Sequence, residues 1–191
     1  MTNRHVCVYC GSSPRVSDQY KQAAVEVGRA IAANGFGLVY GGGRRGLMGM
    51  VADSVLTNGG KAIGIIPKHL QDREERHDEL NELHIVDSMH IRKQMMVERS
   101  DAFLILPGGY GTLDEAFEIL TWKQLGLHKK PIIFLNIYNF WSPLKELKQH
   151  LFDESFIKAE DLKLFSIIDN VDQIMPTLSR ELALLDEEQT A

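Results

Sequence analysis

The chain of 191 residues is short of cysteine, of basic clusters and of long apolar runs, and each shortage removes a class of protein. Its two cysteines form one C-x-x-C, Cys7 and Cys10, so a tetrahedral zinc site would lack its second pair of thiolates. A redox pair should open a helix, whereas these residues sit in a strand-like run where positions three apart face opposite ways. They are expected to be core thiols that behave as small hydrophobes. No stretch approaches the ~20 apolar residues that span a bilayer. The start, Met-Thr-Asn-Arg-His, enters a short apolar segment without the hydrophobic region and cleavage site of a secretion signal, so the cytoplasm is the expected compartment. With 21 Lys and Arg against 26 Asp and Glu the net charge is −5, and no basic block offers the contacts that hold a nucleic acid polymer. A P-loop is missing too, because G-x-x-x-x-G-K-[ST] occurs nowhere.

What is present is the composition of a folded domain, with 44% hydrophobic and 25% charged residues, enough to bury a sizeable core. Apolar runs bounded by turn residues recur at 6–10, 37–40, 62–66, 84–86, 102–106, 132–135 and 165–168. Most are unbroken rather than alternating, as in strands covered on both faces. Helix-like segments lie between them, at 18–34, 47–56, 89–100, 113–125, 143–151 and 171–184. The first puts Ala24, Val27 and Ile31 on one face and stops at Asn34-Gly35, a left-handed terminator. This alternation predicts an α/β fold in a single domain over residues 1–191: a Rossmann-like, doubly wound parallel sheet of about seven strands flanked by helices. In a 3-2-1-4-5-6 strand order, the fourth strand would border the switch point. The stretch 68–82 crowds Lys68, Asp72, Arg73, Glu74, Glu75, Arg76 and Asp78. It reads as a solvated helix or a mobile loop, long enough to be functional.

In such a sheet ligands bind beyond the carboxyl ends of the strands, and three glycine turns gather there. Gly11, Ser12 and Ser13 follow the first strand, Gly41, Gly42 and Gly43 lead on to Gly46 and Gly49 after the second, and Gly108, Gly109, Tyr110, Gly111 and Thr112 follow the fifth. Glycine lets backbone N–H groups approach an anion, and a following helix adds the positive end of its dipole, so the turns together point to a phosphate-bearing ligand. Gly41-x-Gly43-x-x-Gly46 matches the dinucleotide fingerprint, but the next strand ends at Ile66-Pro67 without the acid that a nicotinamide nucleotide's ribose requires. Thr112 and Glu115 have capping-box spacing, which leaves two readings of Glu115: a return hydrogen bond to the helix start, or a carboxylate beside a bound sugar. Ser88 is placed to cap a helix that carries Arg92 and Lys93 towards an anion.

The motifs GGGRRGLMG (41–49), MHIRK (89–93) and PGGYGTLDE (107–115), in this order and spacing, resemble the LOG (Lonely Guy) family of cytokinin-activating phosphoribohydrolases, over residues 4–180. The resemblance implies hydrolysis of the N-glycosidic bond of a purine nucleoside 5′-monophosphate of the cytokinin type, to free base and ribose 5-phosphate. It implies Arg92 and Glu115 as catalytic residues. Substrate contacts would come from Glu74, Lys93, Thr121 and the run Gly108, Gly109, Tyr110, Gly111, Thr112, with Ser12, Gly42 and Gly43 from the other turns. Glu75 is the neighbouring alternative to Glu74, and Ile91 stands where many relatives carry a polar residue. The resemblance also implies a homodimer and a small-molecule partner, with chemistry that needs no cofactor or metal, while charge and hydropathy already argue against a nucleic acid polymer or a membrane.

The implied chemistry is sound for a carboxylate, because C1′ gains oxocarbenium character as the base departs. A carrier of a nucleotide or of molybdenum cofactor on the same scaffold is the competing reading. Lysine decarboxylase, a label often given to bacterial members, would need a Schiff-base lysine that nothing singles out. Trp122, Leu125, Leu127, Phe140 and Trp141 suit either core or interface. Met48, Met89, Met95 and Met96 suit either core or an apolar base slot. The base therefore stays open between a cytokinin nucleotide, AMP and other purine monophosphates.

Overall fold

The structure, a computed structural model, describes residues 4–190. Strands β1 (His5–Tyr9), β2 (Gly37–Tyr40), β3 (Ala62–Pro67), β4 (Glu82–Val86), β5 (Ala102–Ile105), β6 (Ile132–Leu135) and β7 (Ser166–Ile168) are all parallel. They form one sheet in the order β4-β3-β2-β1-β5-β6-β7, in which Val6 pairs with Leu38 on one side and Ala102 on the other. Helices α1 (Asp18–Ala33), α2 (Gly46–Thr57), α3 (Met89–Glu98), α4 (Tyr110–Gln124), α5 (Ser142–Asp153) and α6 (Ile174–Thr190) cover the faces.

Side chains alternate across the sheet, so the interior strands feed two cores. Val6 and Val8 of the first strand, with Cys10 just beyond it, pack with Val27 and Ile31 of α1, Val51 and Val55 of α2 and Leu178 of α6. Cys7 and Tyr9 pack with Met96 of α3, Ile119 of α4 and Leu144 of α5. The two thiols are thus buried on opposite faces, and burial raises the pKa of both. Interior strands such as β5 and β6 are buried at every position, which is why they read as unbroken apolar runs. Among the described residues no helix is long and apolar enough to cross a membrane.

Three expectations are corrected. The fourth strand does not border the switch point: it lies at the sheet's edge beside β3, and the order reverses between β1 and β5. The chain winds outward to this edge and α3 carries it back to β5, so the helix, not its strand, reaches the centre. The connection 68–81 is neither a solvated helix nor a loose loop. After one 3-10 turn at Lys68–Leu70, it folds over the glycine turn behind β2, where Arg76 bridges to Gly43 and His77 is fully buried against Asp53 at 3.0 Å. No capping box forms at Thr112, because α4 begins two residues earlier, with Gly109 as its N-cap. The Ser88 cap does form, its hydroxyl accepting from the Ile91 amide at 3.2 Å.

Candidate active site

A cavity of about 750 Å³ opens at the switch point, beyond the carboxyl ends of β1 and β5, where an open parallel sheet leaves a crevice. Ser12, Glu74, Arg92, Gly108, Gly109, Tyr110, Gly111, Thr112 and Glu115 all line it. Gly42, Gly43, Lys93 and Thr121 do not. The Gly42 carbonyl accepts from His77 and the Arg44 amide donates to the carbonyls of Glu74 and Glu75, so the folded-over segment covers this turn. Gly42 also has φ +74°, a conformation that favours glycine whatever its role in binding.

The helix N-terminus at the cavity is left open. Gly109 has no side chain to cap α4, and the first amide bonded back to it is that of Leu113. The amides of Tyr110, Gly111 and Thr112 therefore face the cavity without a capping group, as an anion site requires. A Cβ on Gly109 or Gly111 would meet nothing within 4 Å, whereas one on Gly108 would overlap the Thr112 hydroxyl. Gly108 thus serves packing, and the two outer glycines leave room for a ligand.

Deeper in the cavity three charged side chains converge. Arg92 is 3% exposed, donates from Nη2 to the Gly41 carbonyl at 3.3 Å and stands 3.5 Å from the Glu74 carboxylate. A Cβ on Gly41 would overlap this guanidinium, so a glycine there makes room for the arginine. Arg92 Nε and Glu74 Oε2 are both buried without a hydrogen bond, and such atoms are rare unless a water or ligand serves them. Glu115, one turn into α4, forms no hydrogen bond among the described residues, and burial raises its pKa to about 7. Arg92 opposes that shift, Glu74 and Asp114 reinforce it, and Lys93 lowers it. A carboxyl poised near neutrality, open to a cleft and flanked by an arginine, is equipped for proton transfer.

Lys93 and Thr121 lie on the outward side of this arrangement. Lys93 pairs with Glu118 at 2.9 Å and Asp114 at 3.2 Å. Burial works against its charge, but these carboxylates prevail and hold its pKa above the ordinary lysine value. Thr121 donates to the Phe117 carbonyl and faces a shallow groove with Leu113 and Trp122. Glu74 faces the cavity while Glu75 turns away to Arg45. Sequence reasoning missed Arg45, Arg73, Tyr20 and Phe140 as cavity-lining residues. Their signal was positional, since Arg45 and Phe140 follow the carboxyl ends of β2 and β6 by a few residues. Among the described residues no group of three His, Cys, Asp or Glu side chains is placed to hold a metal ion.

Sheet order, switch-point cavity and open helix terminus together define an α/β protein of Rossmann-like fold. Two solved structures share that fold: the molybdenum cofactor carrier protein of Chlamydomonas reinhardtii, with TM-score 0.73 and 19% identity over 95% of this chain and 99% of that one, and the molybdenum cofactor binding protein of Rippkaea orientalis, with TM-score 0.69 and 21% identity over 94% and 98%. A family profile described as "Possible lysine decarboxylase" matches residues 48–178. The cytokinin riboside 5′-monophosphate phosphoribohydrolase LOG of Oryza sativa subsp. japonica is 45% identical over 97% of this chain and 73% of its own length. The cytokinin riboside 5′-monophosphate phosphoribohydrolase of Rhodococcoides fascians is 46% identical over 82% and 79%. The chain belongs to this family, among its LOG phosphoribohydrolases. The decarboxylase description finds no anchor here, because no lysine lines the cavity and Lys93 is held charged by two acids.

Proposed function

We propose that this single domain hydrolyses the N-glycosidic bond of a cytokinin-type purine nucleoside 5′-monophosphate, with the α4 amides holding the phosphate and Glu115 serving C1′. The observation that carries the reading is a carboxylate in the cavity, without a hydrogen bond among the described residues, one turn beyond an uncapped helix N-terminus that faces the same cavity; burial raises its pKa to about 7. The phosphate fixes the sugar through remote binding. As the bond breaks, the base takes its electron pair and C1′ becomes electron-poor. The ionised Glu115 stabilises that charge and accepts a proton from the attacking water, whose oxygen joins C1′ to give ribose 5-phosphate. The proton passes on to the departing base. Arg92, whose charge lowers the Glu115 pKa, orients that carboxylate. Incubating the protein with AMP and with isopentenyladenosine monophosphate, and measuring base and ribose 5-phosphate, tests the reaction. Tight binding without release would favour the carrier reading.

Gly109→Ala tests the phosphate cradle separately. The space at Gly109 is open, but its ψ of −152° lies at the edge of the extended region and alanine is a poorer N-cap than glycine, so Tm should fall slightly. KM should increase about tenfold as the methyl crowds the anion. An unchanged KM would place the phosphate elsewhere.

The protein is further proposed to be a cytoplasmic homodimer without a nucleic acid partner. Supporting this, Leu125 and Leu127 are large apolar side chains 67% and 69% exposed, whereas Trp141 is core and Phe140 lines the cavity. Sedimentation should give twice the chain mass, and Leu127→Asp should shift it towards the monomer.

A further inference from the structure

Glu74 and Glu75 are adjacent and chemically alike, yet one faces the cavity and the other faces away. The divergence comes from the backbone: Glu75 has φ +51°, a left-handed conformation that a residue with a Cβ adopts only when its surroundings hold it there. What surrounds it is the arginine pair of the glycine turn. The Arg44 amide donates to the carbonyls of Glu74 at 3.1 Å and Glu75 at 2.7 Å. Arg45 then grips the chain on both sides of Glu74: its Nη1 donates to the Arg73 carbonyl at 3.3 Å, and its Nε meets Glu75 Oε1 at 3.0 Å. The guanidinium suits this task, having donors in a fixed fork where lysine has one point charge.

We propose that Arg45 is a positioning residue: by bracketing Arg73 and Glu75 it holds the intervening Glu74 carboxylate against Arg92 and beside Glu115. The inference rests on the proposed role of the Glu74–Arg92–Glu115 cluster. An exposed ion pair such as Arg45–Glu75 contributes little to stability, so its loss should misplace Glu74 rather than unfold the chain. The bracket has a signature that a structural contact lacks. Groups facing Glu115 are Arg92 and Lys93 of α3, Asp114 of its own helix, Glu74 of the folded-over segment, Cys7 and Tyr9 of β1, and Cys10 just beyond that strand. Burial keeps the last three neutral, Arg92 and Lys93 lower the Glu115 pKa, and Glu74 and Asp114 raise it. Withdrawing Glu74 therefore lowers the Glu115 pKa and moves the acid limb of the rate profile to lower pH.

The test is a double-mutant cycle of Arg45→Ala and Glu74→Gln, following kcat/KM against pH with Tm as the check on folding. Arg45→Ala is expected to reduce kcat/KM about tenfold and to move the acid limb down, as Glu74→Gln does, while the double variant is no worse than Glu74→Gln alone. Glu75→Gly, which keeps the left-handed turn while removing Arg45's partner, should move the limb in the same direction with Tm unchanged. A loss from Arg45→Ala that persists undiminished in the Glu74→Gln background would overturn the proposal, because Arg45 would then act on the substrate directly. So would an Arg45→Ala enzyme with the wild-type rate and limb. A Glu74→Gln enzyme that behaves as wild type would instead remove the role of Glu74 on which the bracket depends.

Discussion

Glu115→Gln is expected to reduce kcat about 10²–10⁴-fold while leaving the fold and nucleotide affinity near wild type. Glutamine keeps the size and the cavity contacts of the side chain but cannot carry negative charge or accept water's proton. In the parent enzyme the same group should give kcat an acid limb near pH 7, since the reactive form is the carboxylate and its pKa is raised to about 7. A matching stability effect has a fixed sign. Unfolded, Glu115 releases its proton near 4.5, and folded near 7, so between these values the folded chain binds more protons and stability falls as pH rises. Above pH 7 Glu115→Gln should therefore be the more stable protein, by up to about 3 kcal/mol, and below pH 4.5 the two should converge. Near-normal release of adenine by this variant would end the catalytic assignment.

That Glu115 stands out in the sequence shows which information is local. The run Pro107 to Glu115 states its geometry through residue types: glycines where backbone must be reached, then a helix with an acid one turn in. The strands were legible for the same reason, because a parallel sheet covered on both faces needs unbroken apolar runs such as Ile132 to Leu135. Strand order was not, since pairing across a sheet leaves no spacing in the chain. One compositional trace existed. β4 carries Glu82 and His84 and exposes Ile85, which suits an edge and not the centre where it was expected.

The segment 68–81 was the other blind spot. Its charges read as a solvated surface, and most of them are exposed, but what fixes it is backbone pairing to Gly42 and Gly43 and the burial of His77. Such long-range pairing has no periodicity to detect. The capping box expected at Thr112 was lost through a single residue, because Gly109 started the helix earlier and left Thr112 as its third member. Once the cap is gone, the Glu115 carboxylate has no local partner to satisfy and is free for the cavity.

Arg92→Met should be the most destabilising change in the site and should move the acid limb the other way. Methionine replaces most of the volume of a side chain that is 3% exposed, so packing loss is small, but Glu74, with 17% of its side chain exposed, loses its counter-charge. Removing one partner of a buried pair costs about 3–5 kcal/mol, and the loose 3.5 Å approach places this pair at the lower bound. A loss of about 3 kcal/mol corresponds to about 6–12 °C in Tm for a chain of this size. Glu74→Gln in the same background should restore part of it, because a neutral amide needs no counter-charge. In activity, Arg92 is what holds the Glu115 pKa down against burial and Glu74. Without it the carboxyl stays protonated to higher pH, the acid limb shifts up, and the rate at pH 7 falls. The opposite signs expected for Arg92→Met and Glu74→Gln are what tie both to one carboxylate: shifts in the same direction, or none, would mean that Glu115 does not sense this pair.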